Sequence, residues 1–333
     1  MSALSFQALR ELADGRFHSG EDIARGLRRS RATISAALKC APELGVEIFS
    51  VPGKGYRLAA PIEFLDRAAI VKRLRAEGSR VELEIVDEID STSTRLLELG
   101  ARGAPSGTCI AAEWQNSGRG RRGRSWVSSL GGSLTFSILW RFERGAGQLG
   151  GLSLAVGAAV ARALDDAGVA RVQVKWPNDV VADFRKLAGI LVETSGEIQG
   201  PSVAVIGVGV NYRLGERVLD RIDQPVTDVS QCAPSLPSRS ELLARLLVTL
   251  GVALDEFDRH GFDASRDAWR ALHAYHGRQV RVQQAREPAF DAQVIDVAPD
   301  GALVVATDDG RTLHLSSADI SLRKIRVRDD FSR

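Results

Sequence analysis

The chain is poor in cysteine and lysine and has no long apolar run. Its 333 residues include three cysteines, Cys40, Cys109 and Cys232, far apart and with no CxxC pair. That pattern excludes a disulfide frame and a cysteine zinc site and fits a reducing cytoplasm. The N-terminal stretch MSALSFQALRELADG sets charges among its apolar positions and lacks the apolar core of a secretory signal. The most apolar stretch, LGGLSLAVGAAVARALDD, is too short and too glycine-rich to span a bilayer, so a buried helix is expected and no membrane partner. A net charge of +2 means that any basic patch is local. Only six of the 44 basic residues are lysine, which makes each lysine near a motif conspicuous. What remains, 44% hydrophobic and 26% charged, is ordinary globular composition in a chain long enough for two or three domains.

Three segments follow from the patterning, with boundaries at 1–62, 63–272 and 273–333. In the first, Phe6, Leu9 and Leu12 share one helical face. Ser19 followed by Asp22 has the spacing of a capping box, and Ser30 is the next N-cap. Ile34 and Leu38 of SRATISAALKC point inward, and Arg31, Ser35 and Lys39 outward. VEIFSVPGKGYRL alternates around a tight turn, as a hairpin does. Together these describe a winged helix-turn-helix, whose alternative use is protein contact. As a DNA-binding unit it would place Arg31, Ala32, Thr33, Ser35 and Lys39 in the major groove, with Lys54 and Arg57 of the hairpin at phosphate or minor groove.

The second segment alternates strands and helices in a mixed α/β arrangement. VELEIVDEID, GTCIAAEWQ, SLTFSILWRF, RVQVKW, KLAGILVETSG and SVAVIGVGVNY are its expected strands. The third holds only short strands, RQVRVQQ, FDAQVIDV, ALVVAT and TLHLS, and reads as a small SH3-like β-barrel. The whole is a multidomain α+β protein.

Two motifs carry chemistry. GRGRRGRSW, Gly118 to Trp126, packs four arginines and three glycines into seven residues before a tryptophan. A disordered Arg-Gly tail would have such a composition, but strands on both sides make it a loop. Glycines let its backbone approach a ligand, and guanidinium forks suit phosphate and carboxylate. The Walker pattern GxxxxGK[ST] is absent. KWPND, Lys175 to Asp179, and RKLAG, Arg185 to Gly189, bring Asp179 and Lys186 onto nearby chain. Asp179 could position Mg²⁺ or take a proton, and Lys186 could stabilise charge on an α-phosphate; a plain ion pair at a turn is the alternative. GVGVN ends a strand in Asn211, a pattern more often due to close packing.

In combination, HSGE, SRATIS, VPGKGY, IDST, EWQNSGRGRRGRSW, KWPND, KLAGILVE, GVGVN and ISLR resemble the bifunctional biotin–protein ligases that also repress biotin operons. The resemblance covers essentially the whole chain. It implies a central biotin/lipoate-ligase-type domain that makes biotinyl-5′-AMP from biotin and ATP with Mg²⁺. Biotin then passes to a lysine of a biotin carboxyl carrier protein, and no tightly bound prosthetic group is expected. By the same resemblance, Ser91, Thr92, Ser93 and Gln115 would bind the ureido end of biotin, Ser93 standing where many members have Asn. Arg119, Gly120, Arg121 and Lys186 would follow the carboxylate and phosphate, with Lys186, Arg119, Arg121 and Asp179 catalytic. Gly118, Arg122, Arg124, Trp126, Asn178 and Asn211 would lie along the loop and adenylate, and Asp179 would be the residue for Mg²⁺. No residue of RLGERVLDRIDQPVTDVS is assigned. The implied partners are the carrier protein, palindromic operator DNA and a second copy of the chain, recruited by biotinyl-AMP. A ligase without repressor function, a biotin-sensing repressor without catalysis and a lipoate ligase of the related fold are the alternatives.

Overall fold

The computed structural model describes residues 2–284, 288–316 and 320–324. Helices α1 (Ala3–Glu11), α2 (Gly20–Gly26) and α3 (Arg31–Leu38) precede an antiparallel hairpin of β1 (Ile48–Val51) and β2 (Gly55–Leu58). Ser2, Ser19 and Ser30 cap the three helices through their side-chain oxygens, satisfying N–H groups that have no partner within the helix. At Ser19 the cap is simple: its Oγ accepts from Glu21 N at 3.2 Å, two residues on rather than three. Phe6, Leu9, Leu12, Ile34, Leu44 and Leu58 form the small core. The hairpin closes at Gly55, where φ is +95° and a Cβ would sit 2.0 Å from the His18 carbonyl oxygen, so only glycine fits.

The central unit contains α4 (Arg67–Ala76), β3 (Glu82–Ile89), α5 (Thr92–Ala101), β4 (Thr108–Gln115), β5 (Ser133–Phe142) and α6 (Leu152–Asp165). It continues through β6 (Val172–Lys175), β7 (Asp179–Ala182), β8 (Arg185–Gly196) and β9 (Ser202–Asn211). Four helices follow: α7 (Glu216–Leu219), α8 (Val229–Cys232), α9 (Arg239–His260) and α10 (Asp263–Leu272). The strands form one sheet in the order β3-β4-β5-β9-β8-β7-β6, parallel only between β3 and β4. One face, with Phe136, Ile138, Ile190, Ile206 and Val208, packs on α4, α6 and α9 in the main core. The other face is covered by α5 through Leu96, Ile110, Leu139 and Val205, and this smaller cover leaves part of the sheet open.

The segment leading into this unit is fastened by charge. Glu63 caps α9, accepting from Ser238 Oγ, Arg239 N and Ser240 N at 2.6, 2.9 and 3.2 Å. Burial opposes its charge, yet these bonds and the Arg239 guanidinium hold its carboxyl below the usual range. Arg239 is fully buried, paired with the equally buried Glu113 at 2.9 Å, and donates to the carbonyls of Glu63 and Ser133. Removing either partner would strand a charge in the interior.

The last unit is an antiparallel sheet of β10 (Gln279–Gln284), β11 (Phe290–Val297), β12 (Leu303–Thr307), β13 (Thr312–Leu315) and β14 (Ile320–Lys324), in the order β13-β12-β11-β10-β14. ISLR falls in the fifth of these strands. The segment His273–Ala274 joins it to the central sheet, Ala274 N bonding Val174 O at 2.9 Å. His273 lies buried at this seam, stacked on Trp269 at 4.3 Å. Burial, and then the neighbouring His276, push its pKa down to about 3. The folded chain therefore keeps this imidazole neutral, whereas an unfolded one protonates near 6.5. Its contribution is complete above about pH 6.5 and is lost as pH falls toward 3, at up to about 1.4 kcal/mol per pH unit. Denaturant unfolding between pH 7 and 5 is expected to show that slope, and His273→Phe to flatten it; an unchanged slope would remove His273 as the cause.

Candidate active site

A one-residue irregularity between β7 and β8 decides where the charged groups point. Asp179 pairs with Gly189 and Val180 with Ala188, but Val181 then pairs with Lys186. Leu187 is the extra residue and is fully buried. Residues opposed in a ladder project to one side of the sheet, and sides alternate along a strand. In unbroken register Lys186 would oppose Ala182 and point away from Asp179. The bulge puts both on the open face, where Lys186 Nζ lies 2.9 Å from Asp179 Oδ1, with the two side chains 18% and 17% exposed.

The open face is floored by small residues that are ladder partners: Gly189 and Gly209, Gly209 and Thr135, Gly207 and Ser137. The cleft above them, about 900 Å³, is bounded by the start of α5, the arginine loop, the KWPND turn and residues 221–226. Of the residues singled out for ligand from the sequence, all but Gly118 line it.

The arginine loop is folded. Trp126 N bonds Gly118 O at 2.8 Å, Gly120 N bonds Arg124 O at 2.7 Å, and a 3-10 turn spans Arg121–Gly123 with Arg122 at φ +57°. Gly118 serves this closure, since a Cβ there would lie 2.5 Å from Trp126 O. The Trp126 ring lies over Gly209 and Gly189, with Lys186 Nζ 5.8 Å from its centroid. Its buried Nε1–H has no acceptor among the described residues. Arg121 donates to Asn178 Oδ1 at 3.3 Å, next to Asp179. Burial and the Arg122 charge pull its pKa down while Asp179 pulls it up. Arg119 reaches the other way and pairs with Glu193.

The end of the cleft at α5 is a buried hydrogen-bond cluster. Gln115 Oε1 accepts from Thr92 N at 2.8 Å and Thr92 Oγ1 at 3.1 Å. Ser137 Oγ lies 2.7 Å from Thr92 Oγ1 and 2.9 Å from Ser93 Oγ. Ser91 caps α5, accepting from Thr94 N. Gln115 Nε2 and the hydroxyl protons leave this cluster with donors and acceptors for a polar, uncharged group. Asn211, buried at the far end, donates to the carbonyls of Lys186 and Thr227, so its amide braces the Lys186 backbone.

Several lining residues were not anticipated. Lys175 and Tyr275 contribute from β6 and from the start of the last unit, and residues 221–226 form a wall although no motif marks them. Burial raises the Tyr275 phenol, and the Asp179 charge adds to it. Lys175 was within reach of the pattern, since it opposes Asp179 in the β6–β7 ladder and so shares its face. Among the described residues no three His, Cys, Asp or Glu are grouped to hold a metal ion, and Asp179 is already engaged by Lys186. That donor set does not fit a resident metal.

The expected DNA-binding residues form a separate surface. Arg31, Ala32, Thr33, Lys39 and Lys54 are exposed and Ser35 partly so. The Arg57 guanidinium lies over the rings of Phe49 and Phe17, at 4.8 and 5.2 Å, which holds it at the wing.

Residues 85–211 match the biotin/lipoate A/B protein ligase family, residues 275–323 the biotin protein ligase C terminal domain, and residues 5–57 an HTH domain. The chain belongs to the biotin/lipoate A/B protein ligase family. It is 37% identical over 313 residues to the bifunctional ligase/repressor BirA of Salmonella typhimurium, covering 94% of this chain and 95% of that one. It is 36% identical to the bifunctional ligase/repressor BirA of Escherichia coli with the same coverage. The biotin protein ligase of Aquifex aeolicus, solved in complex with biotin and ATP, superposes with a TM-score of 0.63 at 27% identity, covering 73% of this chain and 99% of that one. No helix among the described residues is long and apolar enough to cross a membrane.

The packing of Trp126 on bare backbone gives a direct check. A Cβ at Gly209 would stand 2.3 Å from Trp126 Cε2, against a rigid ring. Gly209→Ala is expected to expel the indole, with an overpacking penalty of about 1–3 kcal/mol. The emission of Trp126, isolated by subtracting the spectrum of Trp126→Phe, should move to the red; an unshifted spectrum would mean that the ring does not rest on Gly209.

Proposed function

We propose that this chain is an ATP-dependent biotin–protein ligase that also acts as a DNA-binding repressor controlled by its own adenylate. The observation that carries the reading is the meeting, in one cleft, of Lys186, the arginine loop and a neutral hydrogen-bonding cluster. Family membership and the relatives described above support it. The unit boundaries that go with it are 1–62 for DNA binding, 63–272 for catalysis and 273–333 for the small β unit.

Biotin enters with its ureido group at Ser91, Thr92, Ser93 and Gln115. Its valeryl chain crosses the glycine floor beside Trp126, and its carboxylate ends near Lys186 and Arg121. That carboxylate attacks the α-phosphorus of ATP, forming the acyl–phosphate bond as the bond to pyrophosphate breaks. Two anions must come together and a third must leave. Preorganised positive charge, supplied by Lys186 and Arg121 with Arg122 and Arg124 nearby, is therefore the main catalytic contribution. Gly120 lets the loop backbone come close, and Gly118 shapes its closure. Asn178 orients Arg121, and Asn211 holds the Lys186 backbone. ATP brings Mg²⁺ as the counterion of its phosphates, and Asp179 would be the residue that positions it. In the second half-reaction the lysine amine of the carrier protein attacks the acyl carbon, AMP departs, and Asp179 takes the amine proton.

Water would destroy an acyl-adenylate, so the arginine loop also serves as a lid. The adenylate-loaded chain forms a homodimer that brings two winged helices to a palindromic site, with Arg31, Ala32, Thr33, Ser35 and Lys39 in the major groove and Lys54 and Arg57 at the wing. Such a protein works in the cytoplasm, on a biotin carboxyl carrier protein.

The test follows radiolabelled biotin, with MgATP, into adenylate and then onto a carrier-protein lysine. Wild type is expected to do both, and Lys186→Ala to lose roughly 10²–10³-fold in the rate of adenylate formation, the loss typical of a transition-state donor. Biotin that never becomes activated would refute the ligase. Binding of biotin-gene promoter DNA that is indifferent to biotin plus MgATP would leave a ligase without repressor function.

A further inference from the structure

We infer that Glu193 is a positioning residue of this site: it holds the Arg119 guanidinium as a bar across the neutral end of the cleft and so fastens the arginine loop over bound biotin. The inference rests on the function proposed above and deepens it. Arg119 Nη2 donates to Glu193 Oε1 at 2.6 Å and Nη1 to Oε2 at 3.2 Å, a forked, charge-assisted pair. Nη1 also reaches Thr94 Oγ1 at 3.3 Å. Thr94 lies in the first turn of α5 and Glu193 on β8, so one planar group ties helix and sheet across the opening.

The position of the bar follows from the ladders. Gly189, Leu191 and Glu193 alternate onto the open face, and the step next to Glu193–Val205 on that face is Leu191–Gly207. Ser93 seals against that step, where a Cβ on Gly207 would lie 2.6 Å from its Oγ. The guanidinium thus spans the end of the cleft occupied by Ser93 and Ser137, away from Asp179 and Lys186.

Charge decides the assignment. A carboxylate beside a site that must accept a carboxylate and a triphosphate would repel both unless it were neutralised. Glu193, only 22% exposed, is neutralised by Arg119. Arg119 in turn is held by Glu193, and Arg121 donates to Asn178 Oδ1, next to Asp179. The loop divides its work: Arg119 fastens, and Arg121 faces the reacting anions. Glu193 has no role in the chemistry itself, so its loss should speed ligand release and leave the maximal rate of activation intact.

The experiment measures release of labelled biotin from the full-length protein after rapid dilution at fixed salt. It compares wild type, Glu193→Gln, Glu193→Ala, Arg119→Ala and the Glu193→Ala/Arg119→Ala double variant. Each single variant is expected to release biotin roughly three- to tenfold faster, the range open to a half-exposed forked pair. The double variant should be no faster than the singles, because one interaction is removed once. In the two Glu193 variants, adenylate formation at saturating biotin should stay within about twofold of wild type while KM for biotin rises. Glu193→Gln keeps the shape and loses the charge, so it should follow Glu193→Ala. Wild-type release from Glu193→Gln, or a double variant showing the product of the two single effects, would overturn the latch. Wild type that does not bind biotin would instead overturn the proposed function.

Discussion

The site depends on the bulge at Leu187. A single extra residue in β8, opposite the short β7, turns Lys186 from the packed face of the sheet to the open one, beside Asp179. The sequence around it, RKLAG, reads as an ordinary strand start, and only the ladder reveals the slip. The register restricts the neighbours as well. Because Gly189 opposes Asp179 and Gly209 opposes Gly189, the open face next to the charged pair is bare backbone, and Trp126 settles there. Charge, floor and aromatic cover therefore share one geometric cause.

An anion site built this way differs from one built on a helix terminus. The N-terminus of α5 borders the cleft but is capped by its own Ser91, which spends one of its N–H groups internally. Positive charge must then come from side chains, and the arginine loop brings it on a flexible but closed turn. The same loop is tied to the winged helix at its far end. Leu130 N bonds Leu44 O at 2.9 Å, and a Cβ on Gly45 would meet Ser129 at 2.9 Å and Val218 at 3.0 Å. Val218 precedes the wall at 221–226. The chain continuing from two cleft-lining segments thus packs, through Ser129, Leu130 and Val218, on one turn of the first unit. Glu113 and Gln115 stand two residues apart on β4, one holding the entering segment through Leu65 N and Arg239, the other holding Thr92 in the cleft.

Much of this was legible in the sequence because it is local. Serine caps, the alternation of the wing and the glycine-arginine excursion between two strands are short-range signals, and each has its expected form apart from the simple cap at Ser19. The helix α9 was equally open to reading, since Leu242, Leu243, Leu246, Leu247, Leu250, Leu254 and Phe257 recur at helical spacing. By contrast α4 hides its two buried residues, Ile70 and Leu74, among four basic ones. The strand β7 carries no sequence signal, because four residues after Pro177-Asn178 are too few to show a period. Residues 221–226 and Tyr275 could not be found by pattern, since only the tertiary fold brings them to the cleft. Glu193 lay within reach of simple alternation from Gly189, but its meaning appears only once Arg119 is seen to cross to it.

The most direct measurement is a crystal structure with a non-hydrolysable analogue of the acyl-adenylate bound. If the bulge exists to present Lys186 to the reacting phosphate, Nζ should exchange its bond to Asp179 for a phosphate oxygen, with the analogue lying across Gly189 and Gly209. A structure in which Lys186 stays paired with Asp179 while the phosphate is held elsewhere would contradict the account.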